Sequence, residues 1–246
     1  MKIVITGGSR GIGKVLTEHL SKKHEVIIIS KNIKSLDKTK KELGIKGYCT
    51  DVSKIDGIKE IFNDIENFDA LINCAGILGP VGFLVDNDQD QWIKTINVNL
   101  IGTVNACKAA VPFLSDNGKI INISGGGSAY PRIYHTAYAC SKIAVVRFTE
   151  ILAKEFEEEK INIKINVIAP GAHKTDMWND ETFDEHPTNW ADKENLFSMV
   201  DFLLDNNKIN GRFIHIKDDK EKLLLNQNND MFTLRRIDEF KFEPVK

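Results

Sequence analysis

The sequence predicts an α/β protein with a doubly wound parallel sheet of about seven strands and helices on both faces. Two observations carry this prediction. Short β-branched segments alternate with helical segments through most of the 246 residues. Several strand segments are almost continuously apolar, as strands are when both faces of a parallel sheet are covered. Such repeated βα alternation implies right-handed crossovers.

The strand and helix segments follow one another in order along the chain. The predicted strands are KIVIT (2–6), EVIIIS (25–30), GYCTDV (47–52), DALINC (69–74), KIINIS (119–124), INIKINVIA (161–169) and GRFIHI (211–216). The predicted helices lie at 11–22, 35–43, 54–66, 88–114, 137–160 and 192–206. This order is typical of a Rossmann-like fold. We expect one domain over 1–246, with the more polar residues 217–246 as a C-terminal extension.

Charge and composition narrow the possible partners. The chain carries 33 basic and 35 acidic side chains, interspersed, for a net charge of −2. No long-range field therefore favours nucleic acid or an acidic membrane surface. We expect a small-molecule partner or another copy of the chain.

The cysteines and the apolar runs exclude further classes. Cys49, Cys74, Cys107 and Cys140 lie far apart, with no histidine at zinc-ligand spacing, which argues against a disulfide framework or a metal site. No run approaches the roughly 20 apolar residues of a spanning helix. We expect a soluble cytoplasmic protein.

A glycine-rich loop, TGGSRGIG (6–13), joins the first strand to the first helix. Glycines there let the backbone approach a pyrophosphate, which the helix N-terminus attracts through free N–H groups and partial positive charge. An ordinary tight turn is the alternative, but the position between strand and helix favours nucleotide binding. The residues assigned to the cofactor here are Gly7, Ser9, Arg10, Gly11, Ile12 and Gly13.

The end of the second strand bears on the choice of cofactor. In a dinucleotide fold an acidic residue there would bind the ribose 2′-OH, and a basic one would accommodate a 2′-phosphate. Here the place reads Ser30-Lys31-Asn32, without a carboxylate. With Arg10 in the glycine loop, Lys31 predicts NADP(H) in preference to NAD(H). Two solvated surface cations are the alternative.

The segment YACSK (138–142) places a phenol and an ammonium together. Tyr138 and Lys142 lie four residues apart at the start of a helical pattern, so their side chains share a face. An ammonium nearby favours phenolate and would lower the tyrosine pKa from about 10, making Tyr138 a general acid/base. The segment follows a strand and a glycine-rich loop at the carboxyl edge of the sheet, where ligands bind.

Together these motifs resemble those of the classical short-chain dehydrogenase/reductases, over residues 1–216. The resemblance rests on TGGSRGIG (6–13), DV (51–52), NCAG (73–76), NVNL (97–100), YACSK (138–142) and PGAHKT (170–175), in family order. It implies a carbonyl–alcohol oxidoreductase. It also implies a homo-oligomer formed through the helices at 88–114 and 137–160.

The resemblance also implies roles around the adenosine. Asp51 would bind the adenine amine, and Val52 would contact it through its backbone. Asn73, Ala75 and Gly76 would line the ribose and the central sheet. Alternatively, Asp51 caps a helix and Asn73 is a satisfied buried amide.

At the nicotinamide end, the resemblance implies that Tyr138 exchanges the proton with the substrate oxygen and that Lys142 binds the ribose. Asn99 would hold a proton-relay water; Asn97, two residues earlier, is the competing candidate. The loop over the nicotinamide would use the residues Pro170, Gly171, His173 and Thr175. The histidine stands where the family usually has an aliphatic residue, so its role is open.

One family residue is missing. The serine that polarises the substrate carbonyl lies thirteen residues before the tyrosine, which here is Gly125. Ser124, the tentative catalytic substitute, is one residue out of register and would face the opposite side of a strand. Three alternatives follow. The loop recruits Ser124 or Ser128, Tyr134 or His135 supplies the hydrogen bond, or hydride transfer is impaired by roughly 100- to 1,000-fold.

The sequence therefore predicts an NADP(H)-dependent oxidoreductase with Tyr138 as general acid/base. A catalytically impaired NADP(H)-binding regulatory or scaffold protein is the alternative, since the serine position holds Gly125. A nucleotide-sugar epimerase has less support, because the glycine motif has the shorter spacing. Residues 176–191, rich in carboxylates and tryptophan, are predicted to form a loop over the substrate.

Overall fold

The structure is a computed structural model that describes residues 1–184 and 187–225, and the backbone of two short strands near the C-terminus. Most of the predicted extension at 217–246 therefore lies outside the described residues. The two short strands pair with each other antiparallel.

The seven predicted strands form one parallel sheet in the order β3-β2-β1-β4-β5-β6-β7. This confirms the predicted doubly wound sheet. The strand order reverses between β1 and β4, the switch point where ligands of such folds bind. The bounds are β1 Lys2–Thr6, β2 Glu25–Ser30, β3 Lys46–Cys49, β4 Phe68–Asn73, β5 Leu114–Ile123, β6 Lys164–Ala169 and β7 Phe213–His215, and the C-terminal pair is β8 Leu234–Arg236 and β9 Phe242–Pro244.

Helices cover both faces of the sheet, because alternate strand residues point to opposite sides. In β1, Ile3 and Ile5 enter one apolar cluster with α1 and α7, and Val4 enters the other with α3 and α5. Burying each such side chain contributes about 1.5–3 kcal/mol. The helices are α1 Gly11–Leu20, α2 Ile33–Leu43, α3 Ile55–Ile65, α4 Gln89–Ile96, α5 Gly102–Ala110, α6 Thr136–Glu158, α7 Lys193–Asp205 and α8 Lys220–Leu225.

The helix predicted at 88–114 is not continuous. A π-helical turn at Asn97–Ile101 separates α4 from α5, and a 3₁₀ turn at Val111–Phe113 leads directly into β5. The π turn directs the Asn99 side chain inward. This side chain accepts a hydrogen bond from the Ile77 amide and donates one to the Ile77 carbonyl. A local insertion of this kind is common at functional sites.

Within the part of the chain that the structure describes, every helix is too short or too polar to cross a membrane.

Candidate active site

The candidate site lies at the carboxyl edge of the sheet. Parallel strands end at the same edge, so the loops that follow them meet there. The glycine loop follows β1, NCAG (73–76) begins at the last residue of β4, Ser124 follows β5, and Pro170 follows β6. The fold therefore brings motifs from distant parts of the chain to one cleft.

The glycine loop is packed too tightly for side chains. Gly7 has a φ of +70°, and a Cβ on it would lie 2.7 Å from the Ala75 amide nitrogen. A Cβ on Gly13 would overlap the Gly7 carbonyl oxygen. The loop thus needs glycine both for its conformation and for the close approach of α1 to β1.

The N-terminus of α1 is open toward the cleft. Arg10 occupies the N-cap position without a side-chain capping bond, and the first turn contains no acidic residue. The first amides of a helix have no intrahelical partner. A Cβ added to Gly11 would meet only Thr175, at 3.6 Å. This uncapped, positively polarised cradle fits a pyrophosphate.

At the predicted adenosine end, two residues that were predicted to bind the cofactor form an ion pair with each other. Lys31 Nζ donates to Asp51 Oδ2 at 2.7 Å, and Asp51 Oδ1 accepts from the Ser53 amide and hydroxyl. Although burial opposes ionisation, these bonds hold the pKa of Asp51 below its ordinary value. The Ser30 hydroxyl beside them is buried without a partner among the described residues, and Ser9 shares a hydrogen bond with Ser35 at 2.9 Å.

Asn73 belongs to the interior of the sheet. Its Nδ2 donates to Asn122 Oδ1 at 2.9 Å, and its Oδ1 accepts from the Thr6 hydroxyl at 3.3 Å. The side chain is buried. Its amide is therefore satisfied within the protein, as the structural alternative expects, and Ala75 is held nearby by a bond to the same threonine.

Asn99 and Lys142 converge on Gly76. A Cβ on this glycine would lie 3.2 Å from Asn99 Oδ1 and 3.5 Å from Lys142 Nζ. Asn99 is fully buried and also donates to the Ser141 hydroxyl at 3.0 Å. Asn97 is exposed, which favours Asn99 over it for the family role.

Tyr138 is 7% exposed and lies beside Lys142, whose Nζ is 5.7 Å from the ring centroid. Burial raises the Tyr138 pKa to about 12, although Arg132 acts in the opposite direction. Burial lowers the Lys142 pKa to about 8, against an opposing effect of Cys74. Lys142 is not among the groups that shift the Tyr138 pKa in this structure, and its Nζ donates to the Ile123 carbonyl at 2.9 Å.

The Tyr138 hydroxyl packs directly against the residue that stands in the serine position. A Cβ on Gly125 would overlap that hydroxyl and lie 3.1 Å from Cζ. Position 125 therefore does face the reacting phenol, as the family spacing implies, but it carries no donor.

Ser124 bonds to other groups. Its hydroxyl shares a short hydrogen bond with that of Ser128. The Ser124 hydroxyl also lies 3.2 Å from the Lys142 carbonyl, and the Ser128 hydroxyl lies 2.6 Å from the Gly125 carbonyl. One hydroxyl donates to the other, so only one of the two carbonyls receives a proton at a time. Neither serine bonds to Tyr138. The assignment of Ser124 to the substrate oxygen stays a prediction, and in this structure both hydroxyls bond within the loop.

Tyr134 and His135, the other candidate donors, make contacts away from Tyr138. The Tyr134 ring makes an edge contact with Phe183 at 4.2 Å, and its carbonyl accepts from the Gly82 amide. Both ring nitrogens of His135 are bonded, one to the Ile133 carbonyl and the other to Glu181 at 2.7 Å. Tyr134 thus packs against the segment that contains Phe183, and His135 supports the loop.

Arg132, which the sequence reasoning missed, ties the predicted substrate loop to the site. Its Nε donates to Asp184 at 2.7 Å, and its Nη2 donates to Glu181 at 2.6 Å. His135, Glu181 and Asp184 offer ligand atoms within 4.8 Å of one another. The two carboxylates bind this guanidinium and His135 binds Glu181, which makes the cluster an ion-pair network. The signal in the sequence was the excess of carboxylates at 176–191 with a lone arginine beside the tyrosines.

The loop after β6 lies over the glycine loop. His173 Nε2 bonds to the Pro170 carbonyl at 2.8 Å and closes the turn. Its side chain is buried, and this burial lowers its pKa. Gly171 has a φ of +73°, and Thr175 approaches Gly11. The histidine thus shapes the loop, while the threonine reaches the cofactor cleft.

Comparisons with known sequences give a consistent result. The sequence profile of the short chain dehydrogenase family matches residues 1–186. A carbonyl reductase family member 4 from Xenopus laevis is 33% identical over 223 residues, covering 85% of this chain and 93% of the relative. A 2,3-dihydro-2,3-dihydroxybenzoate dehydrogenase from Bacillus subtilis is 33% identical over 193 residues, covering 72% and 73%.

Solved structures share the fold. An actinorhodin polyketide ketoreductase with NADPH matches at a TM-score of 0.77 and 22% identity, covering 87% of this chain and 94% of that one. A short chain dehydrogenase from Shigella flexneri complexed with NADP matches at 0.79 and 21% identity, covering 88% and 97%. At these identities the likeness establishes the common architecture.

Proposed function

This chain belongs to the short-chain dehydrogenase/reductase family, and we propose that it is an NADP(H)-dependent oxidoreductase that interconverts a carbonyl and an alcohol. The observation that carries the proposal is the convergence of Tyr138, Lys142 and Asn99 at one end of the glycine-loop cleft. The names of its relatives, a carbonyl reductase and a dehydrogenase, support this reaction class.

The residues divide the chemistry between them. A bound nicotinamide cofactor supplies or accepts the hydride. In the reducing direction, the Tyr138 hydroxyl gives its proton to the carbonyl oxygen as the hydride reaches the carbonyl carbon. Lys142, held beside the cleft, is placed to bind the cofactor ribose, and Asn99 fixes the backbone at Ile77. The buried phenol remains protonated at neutral pH, which suits it to carbonyl reduction.

The competing function is NADP(H) binding without turnover, and the specific observation behind it is Gly125. One experiment separates the two: NADPH binding by fluorescence, measured beside oxidation of NADPH with a panel of aldehydes and ketones. We expect both binding and turnover with at least one carbonyl. Tight binding with no oxidation across aromatic, aliphatic and 3-oxoacyl substrates would favour the regulatory protein.

The NADP(H) preference is proposed on the basic residues at the adenosine end. Lys31 is 67% exposed at its side chain and already binds an anion, the Asp51 carboxylate. Arg10 stands exposed at the start of α1. Two structural relatives hold NADP(H). A 2′-phosphate would gain charge-assisted hydrogen bonds from both cations.

We predict that Arg10→Ala with Lys31→Ala weakens NADPH binding by at least about tenfold, since a bond to a charged group contributes roughly 1.5–3 kcal/mol. NADH, which lacks the 2′-phosphate, should lose far less. Fluorescence titration with both cofactors measures this. Lys34→Ala, which removes an exposed lysine of α2 nearby, is the matched control. Equal losses of affinity for NADPH and NADH would contradict the proposed NADP(H) preference.

A further inference from the structure

The proposed reaction lacks a hydrogen-bond donor for the substrate oxygen, and this inference rests on that proposed function. Near Tyr138, the side chains of Ser124, Ser128 and His135 are bonded to other groups. The Tyr134 ring packs edge-on against Phe183. A carbonyl that accepts hydride develops negative charge on oxygen, and a preorganised donor there is worth roughly 100- to 1,000-fold in rate. Another donor beside Tyr138 would restore this contribution.

Arg132 is placed to be that donor. Its guanidinium carbon lies 5.8 Å from the centroid of the Tyr138 ring and 6.0 Å from that of Trp178. The side chain is only 14% exposed. Its Nη1 lies 3.8 Å from the position of a Cβ on Gly126, the residue after the glycine that touches the Tyr138 hydroxyl. The cation thus stands beside the reacting phenol.

The guanidinium has one edge bound and one edge free. Nε and Nη2 bind Asp184 and Glu181. Among the described residues, Nη1 has no hydrogen-bond partner. Gly126 leaves space next to it, since the nearest atoms to a Cβ added there are the Tyr130 hydroxyl at 3.3 Å and Arg132 itself. A carbonyl oxygen that sits against the Tyr138 hydroxyl therefore has a free N–H donor on its other side.

We propose that Arg132 is a further catalytic residue, whose Nη1 donates to the substrate carbonyl oxygen in place of the missing serine. As hydride adds to the carbonyl carbon, the C=O π electrons move to oxygen, where the guanidinium stabilises the charge. Tyr138 then supplies the proton that completes the alcohol. Arg132 remains protonated throughout and exchanges no proton.

The two carboxylates are positioning residues in this scheme. Glu181 is 1% exposed at its side chain and is held by His135 as well as by the guanidinium. Together with Asp184 it fixes the orientation of Arg132. Burial is the main influence on the Tyr138 pKa and raises it. The Arg132 guanidinium acts in the opposite direction and lowers it. The guanidinium therefore acts on the phenol despite its own ion pairs.

The experiment compares two variants that differ only at Arg132. Arg132→Gln alone would leave the buried Glu181 carboxylate unpaired and could unfold the loop. The background is therefore Glu181→Gln with Asp184→Asn, which removes both anions but keeps an amide oxygen at each position to accept from the guanidinium and hold it in place. The triple variant adds Arg132→Gln to this background. Turnover with NADPH and an active carbonyl substrate, NADPH affinity and melting temperature are measured for wild type, double and triple variants.

If Arg132 is the donor, the triple variant should turn over about 100- to 1,000-fold more slowly than the double variant, with the same NADPH affinity. Arg132→Lys on this background should recover part of the rate. If Arg132 only anchors the loop, the double variant should already lose the full activity and the triple variant should equal it, which would overturn the inference. Turnover that depends on Tyr138 but not on Arg132 would leave the proposed function standing. If the wild-type protein binds NADPH but reduces no carbonyl, both the proposed function and the role of Arg132 would be wrong.

Discussion

Tyr138→Phe is expected to reduce carbonyl turnover by about 100- to 10,000-fold, the usual contribution of a positioned general acid. The substitution removes the only atom that transfers a proton in the proposed reaction. It preserves the buried ring and its contacts with Arg132 and Lys142. NADPH binding and thermal stability should therefore be retained while kcat falls.

Tyr134→Phe is the matched control for this prediction. Tyr134 lies four residues earlier, in the same segment, and meets Phe183 through its ring. Loss of its hydroxyl should change kcat only slightly. Steady-state rates with NADPH and one aldehyde, measured for both variants, test the assignment. If Tyr138→Phe kept most of the wild-type activity, the proposed proton donor would be wrong.

The sheet and much of the site were predictable because their signals are local. A β-branched run predicts a strand, and glycines between strand and helix predict a phosphate loop. The spacing of Tyr138 and Lys142 also placed them correctly on one helical face. Such patterns depend on a few adjacent residues, so they can be read without knowledge of the rest of the fold.

The partners of these side chains were not predictable, because they come from distant segments. Lys142 binds the carbonyl of Ile123, nineteen residues earlier on β5. Lys31 binds Asp51 across the ends of neighbouring strands. Periodicity reports which face a residue occupies, but it does not report which group from another element meets it there.

Arg132 illustrates the same limit most clearly. Its carboxylate partners lie 49 and 52 residues further along the chain, in a loop without periodic structure. The sequence shows an arginine beside the tyrosines and an excess of carboxylates at 176–191, but it does not show that these groups meet. The π turn around Asn99 was missed for a related reason, since the bonds to Ile77 that hold it are not local. The homo-oligomer implied by the family resemblance stays a prediction.

Gly13→Ala is expected to weaken NADPH binding by at least about tenfold, or ~1.4 kcal/mol, and to lower the melting temperature. Two effects oppose each other at this position. Gly13 lies within α1, where alanine is favoured over glycine by about 1 kcal/mol. The new Cβ, however, would overlap the Gly7 carbonyl oxygen and lie 3.2 Å from the Cys74 Cβ. Overpacking of this kind typically costs about 1–3 kcal/mol, and here it falls on backbone that cannot rotate away.

Gly57→Ala distinguishes this steric effect from a general effect of helical glycine. Gly57 lies in α3, where an added Cβ would meet the Thr50 hydroxyl, the end of a side chain that can turn aside. The helical preference should then dominate, so the control should be neutral or stabilised by up to about 1 kcal/mol. The clash in Gly13→Ala moves the glycine loop itself. Its cost should therefore appear both as a lower melting temperature and as weaker NADPH binding in the titration. A Gly13→Ala variant with wild-type NADPH affinity would show that the close approach of α1 to β1 does not shape the phosphate cradle.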